Sequence, residues 1–286
     1  MKNTIKEIEI TENPAFLKEQ LISYLGNKRA ILNEILNVLC EIKSELKKQK
    51  ISFVDVFSGS GVVARAAKAY SSLVVANDLE DYSRVINSCY LSNFTPELKE
   101  QIDKSFKQIL EKFKPSESFI SELYAPKDDA NIKHGERVFY SRENALIIGG
   151  LRKAIEEIDL DFRHFFIAPL LSEASIHSNT GGVFKGFYKD KDGVGKFGGS
   201  GENALNRILG KITLQKPIFS NFTSEFEVYQ QDALRLTDIL SPLDIAYFDP
   251  PYNQHPYGSN YFMLNLIANF KAPNLKNLSE VSGIPN

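Results

Sequence analysis

The chain has 286 residues, of which 43% are hydrophobic and 24% are charged, and its formal net charge is −2. This composition is ordinary for a soluble globular protein. No apolar run is long enough to cross a bilayer, and the polar N-terminus lacks the apolar core of a secretory signal, which excludes a membrane partner and favours a cytoplasmic protein. The two cysteines, Cys40 and Cys89, indicate neither a disulfide scaffold nor a zinc site, so we expect reduced thiols and no metal.

The first part of the sequence alternates between helix and strand patterns. Apolar residues at helical spacing predict a helix over 28–48. A predicted strand over 51–57 runs into a glycine turn, a helix over 62–69 follows, and a second strand over 73–76 leads to Asp78. Strand, glycine turn, helix, strand and acidic residue, in that order, are typical of the start of a doubly wound α/β sheet.

The middle of the chain breaks this alternation. Residues 82–170 are predicted to be mainly helical, and residues 178–201 hold nearly half of the chain's 17 glycines. Strand patterns return at 226–230 and 244–248, and a further helix is predicted at about 261–270. The pattern therefore indicates one sheet whose two parts are separated by an insertion.

The predicted fold class is α/β, with a Rossmann-like sheet and an inserted, mainly helical and loop-rich domain. The core domain would comprise residues 1–90 and 225–286, and the insertion residues 91–224. A doubly wound sheet with only four predicted strands is small for this architecture. We therefore expect the sheet to be incomplete at its C-terminal end and the chain to be truncated there.

The glycine turn has the pattern of a nucleotide-binding loop. Residues 59–64 match G-x-G-x-x-[GA], and Asp78 follows about 20 residues later, where an acid that binds ribose is expected. The pattern fits a dinucleotide or S-adenosylmethionine. Asp55 favours the second, because a carboxylate inside the strand would repel a pyrophosphate but attract an ammonium or sulfonium group. A glycine turn without a ligand, and an Asp55 satisfied by backbone N–H groups, are the structural alternatives.

The most specific motif is the tetrapeptide Asp249-Pro250-Pro251-Tyr252, at the end of the last predicted strand. An exocyclic adenine amine is a poor nucleophile because its lone pair is delocalised into the ring. The Asp249 side chain and the Pro250 carbonyl could accept its two N–H groups, Pro251 would stiffen the turn, and Tyr252 could stack on a flipped base. The motif thus predicts methyl transfer to an amine by orientation and electrostatics. A proline turn without function is the structural alternative.

The glycine-rich part of the insertion is also basic. Residues 181–216 contain more basic than acidic side chains in a chain that is slightly acidic overall. The basic residues are Lys185, Lys189, Lys191, Lys196, Arg207, Lys211 and Lys216. Such a segment favours binding to nucleic acid, although a solvated surface loop would have the same composition.

Three blocks of the sequence resemble the D12 class of DNA adenine methyltransferases, which includes Dam-like enzymes and type II modification methylases. Residues 24–29 resemble the N-terminal motif of that family, residues 53–61 its main cofactor loop, and residues 249–252 its catalytic motif. The resemblance implies a DNA adenine-N6 methyltransferase that uses S-adenosylmethionine and acts on duplex DNA. It also implies that the insertion is the target-recognition domain.

By position, the resemblance assigns cofactor contacts to Tyr24, Lys28, Asp55, Phe57, Ser58, Gly59, Gly61, Asp78 and Asp232. Residues 181–186 resemble a stretch found in a subset of modification methylases, for which a target of the CATG kind is expected. Candidate DNA contacts near this stretch are Asn179, Lys185, Lys189 and Arg207. The implied partners are double-stranded DNA and a cognate restriction endonuclease, and we expect a monomer.

Two other functions compete with this one. A dinucleotide-dependent oxidoreductase would explain the glycine turn and Asp78, but not residues 24–29 or the catalytic motif. A truncated, inactive methyltransferase that only binds DNA or cofactor would explain all the motifs. Methyl transfer to RNA or to a protein amide nitrogen needs the same two acceptors, and the basic glycine-rich insertion favours DNA over these.

Overall fold

The computed structural model describes residues 11–18, 21–252 and 256–285. By their packing, these residues form two compact units. The first takes its described residues from 1–20, 25–100 and 217–252, and the second from 21–24, 101–216 and 253–286.

Within the described residues, the first unit contains one sheet of four parallel strands in the order β3-β2-β1-β4. The strands are β1 (Ile51–Asp55), β2 (Ser71–Asn77), β3 (Glu225–Tyr229) and β4 (Ile245–Tyr247). Each lies close to a strand predicted from the sequence, so the predicted α/β fold is confirmed.

The described helices follow the same order as the predicted ones. They are α1 (Pro14–Lys18), α2 (Leu32–Glu45), α3 (Val62–Ala67), α4 (Asp81–Leu91), α5 (Pro96–Lys112), α6 (Phe119–Leu123), α7 (Arg142–Glu156), α8 (Leu160–Ile176), α9 (Leu205–Ile208), α10 (Ala233–Ile239), α11 (Tyr257–Asn260) and α12 (Phe262–Asn269). Short 3₁₀ helices lie at Lys28–Ile31, Lys68–Tyr70 and Leu275–Asn277.

The sheet of the first unit is covered on both faces. Side chains of a strand alternate between faces, and in β1 Phe53 packs into the core that contains α2 and α3. Val54 and, just beyond the strand, Val56 pack on the other side with Leu236 of α10. A strand buried on both faces gives a continuous apolar run, which is why residues 51–57 could be recognised as a strand.

The second unit is mainly helical, and α8 packs against both α7 and α12. The buried Arg152 of α7 links these elements, because its Nε donates to the backbone oxygen of Ile267 at 2.7 Å. Its guanidinium also lies 5.0 Å from the ring centroid of Phe270. The described residues from 256 onward therefore pack with the second unit, whereas the sequence had grouped residues 225–286 with the core domain.

Two further observations concern both units. No helix in the described ranges has the length and the apolar character needed to span a bilayer. Cys40 is half-buried, Cys89 is buried, and both thiols are free.

Candidate functional site

The carboxyl ends of the parallel strands bring together residues that are distant in sequence. β1 ends at Asp55 and β2 at Asn77, while Asp232 and Asp249 follow shortly after β3 and β4. In the sheet register Asp55 lies opposite Tyr247, the last residue of β4. Open parallel sheets bind ligands at this edge. The predicted cofactor loop and the predicted catalytic motif lie at this same edge, as a site for both cofactor and target base requires.

The loop after β1 needs its glycines for its backbone conformation. Gly59 has φ of 49° and Gly61 has φ of 72°, both in the left-handed region that favours glycine. The Gly61 N–H donates to the backbone oxygen of Ser58 at 2.7 Å, which closes the turn. A Cβ added at Gly61 would lie only 2.4 Å from Oδ1 of Asn87. The loop therefore presents backbone, rather than side chains, at the sheet edge.

Asp55 is a buried acid at the start of this loop, with 2% of its surface exposed. Its Oδ1 makes no hydrogen bond with any residue of the described ranges. Burial, and then the negative charges of Asp78 and Asp249, raise the pKa of Asp55 to about 8, although the backbone N–H groups of Ala64 and Phe57 oppose the rise. A buried carboxylate oxygen without a partner fits a cationic group bound at this edge.

Two other acids predicted to contact the cofactor already accept backbone hydrogen bonds. Asp78 accepts from Gly59 N at 2.7 Å, and burial raises its pKa. Asp232 caps the N-terminus of α10, because its Oδ1 accepts from Leu234 N at 2.9 Å. Asp78 therefore joins the end of β2 to the glycine loop by a hydrogen bond, whereas Asp232 is exposed at the start of its helix. Phe57, which is also predicted to contact the cofactor, is half-buried against the core.

Two asparagines that the sequence analysis did not select hold the loops in place. Asn77 Nδ2 donates to the backbone oxygens of Val56 and Gln231, at 3.1 and 3.0 Å. Asn87 Nδ2 donates to Ser58 Oγ at 3.1 Å, and Ser58 Oγ donates to the backbone oxygen of Asn77 at 2.9 Å. A polar residue at the end of an apolar strand could have indicated Asn77, but nothing local distinguishes Asn87 within its helix.

The residues of the catalytic motif meet the N-terminal motif. Lys28 Nζ lies 2.6 Å from Oδ2 of Asp249 and 5.4 Å from the ring centroid of Tyr252. A Cβ added at Gly26 would lie 2.3 Å from the Tyr252 hydroxyl, so this ring lies against the turn before Lys28. The Tyr252 side chain is 63% exposed, and Pro250 is also exposed. Of the predicted cofactor residues, Lys28 thus contacts the motif expected to bind the target base.

Tyr24 belongs to the second unit. Its ring stacks on Tyr261 with a centroid distance of 5.0 Å and an interplanar angle of 17°. The ring of Tyr257 lies 5.4 Å away in a tilted arrangement. Tyr24 is thus part of an aromatic cluster with α11 and the residue that follows it.

Two of the four residues predicted to contact DNA, Asn179 and Arg207, form hydrogen bonds within the protein. Asn179 is buried; its Nδ2 donates to the backbone oxygens of Val138 and Lys196, and its Oδ1 accepts from Gly198 N at 2.9 Å. The Arg207 guanidinium donates to the backbone oxygens of Ile176, Ser178 and Thr180. Both side chains therefore shape the glycine-rich segment.

Lys185 and Lys189 are placed differently. Lys185 is exposed, and Lys189 Nζ lies 5.1 Å from the ring centroid of Phe187. Neither lysine forms an ion pair with a residue that the structure describes. Lys189 also pairs with Gly195 in an isolated antiparallel bridge, which makes a short hairpin of this part of the segment.

Comparison with known proteins agrees with this arrangement. The chain is 33% identical over 253 residues to the type II methyltransferase M.NlaIII of Neisseria lactamica, covering 86% of this chain and 69% of the relative. It is 30% identical over 251 residues to the type II methyltransferase M.CviAII of Paramecium bursaria Chlorella virus 1, covering 86% and 68%. It is also 30% identical over 268 residues to the modification methylase LlaI of Lactococcus lactis subsp. lactis, covering 88% of this chain and 39% of the relative.

No solved structure is significantly similar to the chain. The family model of the D12 class N6 adenine-specific DNA methyltransferases matches residues 24–281. This match includes the turn at Gly26, the glycine loop and the catalytic motif. The chain therefore belongs to the D12 class of N6 adenine-specific DNA methyltransferases.

Proposed function

We propose that the chain transfers the methyl group of S-adenosylmethionine to N6 of a flipped-out adenine at a specific site in double-stranded DNA. The observation that supports this most is the sheet register, which sets the buried Asp55 at the end of β1 opposite Tyr247 at the end of β4, two residues before Asp249. An acceptor for the amine thus lies near a carboxylate that fits a ligand cation.

S-Adenosylmethionine fits the residues at this edge of the sheet. Asp55 Oδ1 is buried without a partner among the described residues, and a ligand cation would supply one. The positive φ angles of the two loop glycines leave backbone where a ligand must approach closely. When bound, S-adenosylmethionine supplies an electrophilic methyl group on a sulfonium. We propose that it is held by Asp55, Phe57, Ser58, Gly59, Gly61, Asp78 and Asp232. The family resemblance implies further cofactor contacts by Tyr24 and Lys28, but the Lys28 ammonium lies 2.6 Å from Asp249 Oδ2.

The catalytic motif would bind and activate the adenine amine. Asp249 accepts one N–H group and the Pro250 carbonyl accepts the other, which favours a pyramidal nitrogen with an available lone pair. Pro251 restricts the backbone, so both acceptors are oriented before the base arrives. Tyr252 offers an exposed aromatic face on which the flipped base can stack.

DNA binding is proposed for the basic glycine-rich segment of the second unit, which together with its helices would form the target-recognition domain. Lys185 and Lys189 would contact phosphates, because both are free of ion pairs within the described ranges. Asn179 and Arg207 would act indirectly, since their polar atoms already bind the backbone.

The cellular role is proposed from the relatives. Two of them are named type II methyltransferases and one a modification methylase. We therefore propose that the chain is the monomeric modification enzyme of a restriction-modification system, acting in the cytoplasm beside a cognate endonuclease at a target of the CATG kind. The family match does not support the alternative of a dinucleotide-dependent oxidoreductase.

A methyl-transfer assay tests this proposal. With labelled S-adenosylmethionine and unmethylated duplex DNA, the chain should label adenine N6, and sequencing of methylated bases should give one short target. Asp249→Ala should lower the rate about 100-fold or more, because it removes an acceptor that acts in the transition state. Asp238→Ala, at an exposed acid on α10, should keep the rate within a few-fold. If the wild type stays at the background of Asp249→Ala, the proposal fails and a cofactor- or DNA-binding protein without activity is favoured.

A further inference from the structure

Lys28 makes two contacts with the catalytic motif, and its side chain is mostly buried. Its Nζ lies 2.6 Å from Asp249 Oδ2, and only 17% of the Lys28 side chain and 27% of the Asp249 side chain are exposed. The same ammonium lies over the face of Tyr252. The backbone is fixed here because Asn27 Oδ1 accepts from Arg29 N at 2.9 Å and caps the 3₁₀ helix Lys28–Ile31.

Asp249 lies close to other acidic groups. It interacts with the buried Asp55 and with Tyr247, whose pKa is raised to about 12 by burial and by both acids. Like charges at one site disfavour simultaneous ionisation. Within the described ranges, Lys28 is the cation that contacts Asp249, and it binds only one of the two carboxylate oxygens.

Resting on the proposed function, we infer that Lys28 is a positioning residue for Asp249 and Tyr252. Its ammonium holds Oδ2 of Asp249 and leaves Oδ1, which has no partner among the described residues, to accept the N–H of adenine. A lysine ammonium only donates, so Lys28 cannot itself accept the amine proton. The role assigned is therefore different from the cofactor contact that the family resemblance implies.

The experiment compares Lys28→Met, which removes the charge, with Lys28→Arg, which keeps it. Single-turnover methylation at saturating S-adenosylmethionine should slow about 10- to 100-fold in Lys28→Met, because Asp249 then loses the contact that orients its acceptor oxygen. Lys28→Arg should recover most of the rate, because it keeps a cation that can hold the Asp249 carboxylate. Affinity for S-adenosylmethionine, measured by calorimetry, should change less than about 3-fold in both variants.

A matched control and a double variant complete the test. Lys48→Met breaks another ion pair of the first unit, with Asp244 at 2.5 Å, and should leave the rate unchanged. Because Lys28 acts through Asp249, adding Lys28→Met to Asp249→Asn should slow the reaction no further, and the two changes should be non-additive in thermal unfolding.

Four results would overturn the inference. The first is a loss of cofactor affinity in Lys28→Met that matches its loss of rate, which would make Lys28 a cofactor contact. The second is additivity in the double variant, which also decides the matter if Lys28→Met alone is poorly folded. The third is an inactive wild type, which would remove the proposed function and this inference with it. The fourth is an active wild type with an equally active Lys28→Met, which would remove the inference alone.

Discussion

The pKa of the Asp55 side chain depends strongly on the residues around it. Burial, and then the charge of Asp78, raise its pKa to about 8, whereas in an unfolded chain the group ionises near pH 4, roughly the value of a free aspartate. Between these values the folded protein binds a proton that the unfolded chain does not, so the free energy of unfolding falls as the pH rises. Below about pH 4 both states are protonated, and above about pH 8 the full penalty is present.

Asp55→Asn should remove this contribution to the pH dependence. The amide is nearly isosteric and carries no charge, so the unfolding free energy of the variant relative to the wild type should rise by about 2 kcal/mol between pH 6 and pH 8. Urea unfolding of both proteins at several pH values measures the difference. A difference that stays constant over this range would mean that Asp55 is ionised throughout in the folded protein, contrary to the raised pKa.

At the scale of elements, the glycine loop depends on a helix that follows the next strand. Asn87 of α4 donates to Ser58 Oγ and also to Ser83 of its own helix. Its Oδ1 is buried and makes no hydrogen bond within the described part of the chain. Ser58 and Asn77 extend this network toward β3. The loops at the sheet edge are thus joined by buried amides, which orient the backbone for a ligand.

Asn87→Ala should therefore weaken cofactor binding more than it weakens turnover. Loss of about 1–1.5 kcal/mol of hydrogen bonding should lower the affinity for S-adenosylmethionine about 5- to 10-fold, with little change in kcat at saturating cofactor. Asn93→Ala is the matched control, because its amide joins the end of α4 to Ser224, just before β3. Both variants should lose stability, but calorimetry should find weaker cofactor binding only for Asn87→Ala. Equal affinities in the two variants would contradict a role for Asn87 in the loop.

The elements of the first unit could be predicted because their signals are local. The apolar run at 51–57 and the glycines after it are sufficient to indicate β1 and its turn. The alternation of helices and strands predicts parallel strands, but it does not predict their order in the sheet. β3 pairs with β2 although residues 101–216 of the second unit lie between them in the sequence. The contact of Lys28 with Asp249 is equally non-local, and only the fold brings the two motifs together.

In the glycine-rich segment, the roles of the polar residues could not be predicted from the sequence. A polar residue in such a segment can bind DNA or can bind the backbone that it shapes, and the sequence pattern is the same in both cases. Asn179 is buried among backbone groups, whereas Lys185 is exposed. Burial is decided by tertiary packing, so only the fold separates these two kinds of residue.

For DNA binding by the whole molecule, the distribution of ion pairs is more informative than the net charge of −2. Some lysines of the basic segment form ion pairs with carboxylates: Lys196, Lys211 and Lys216. Others make no ion pair within the described ranges: Lys185, Lys189 and Lys191. A phosphate contact releases counterions from DNA, which makes affinity depend on salt, and a lysine that is already neutralised contributes less to that dependence.

The salt dependence of DNA binding should therefore separate the two kinds of lysine. For Lys185→Ala and for Lys189→Ala, the slope of log affinity against log salt should become shallower by about 1, roughly one lost phosphate contact each. Lys216→Ala is the control, because Asp103 already neutralises this lysine at 2.6 Å, and its slope should match the wild type. Fluorescence anisotropy with a target duplex and an unrelated duplex measures both slopes. The loss should be the same for both duplexes, since a phosphate contact carries no sequence information; a loss confined to the target duplex would instead make the lysine a reader of bases.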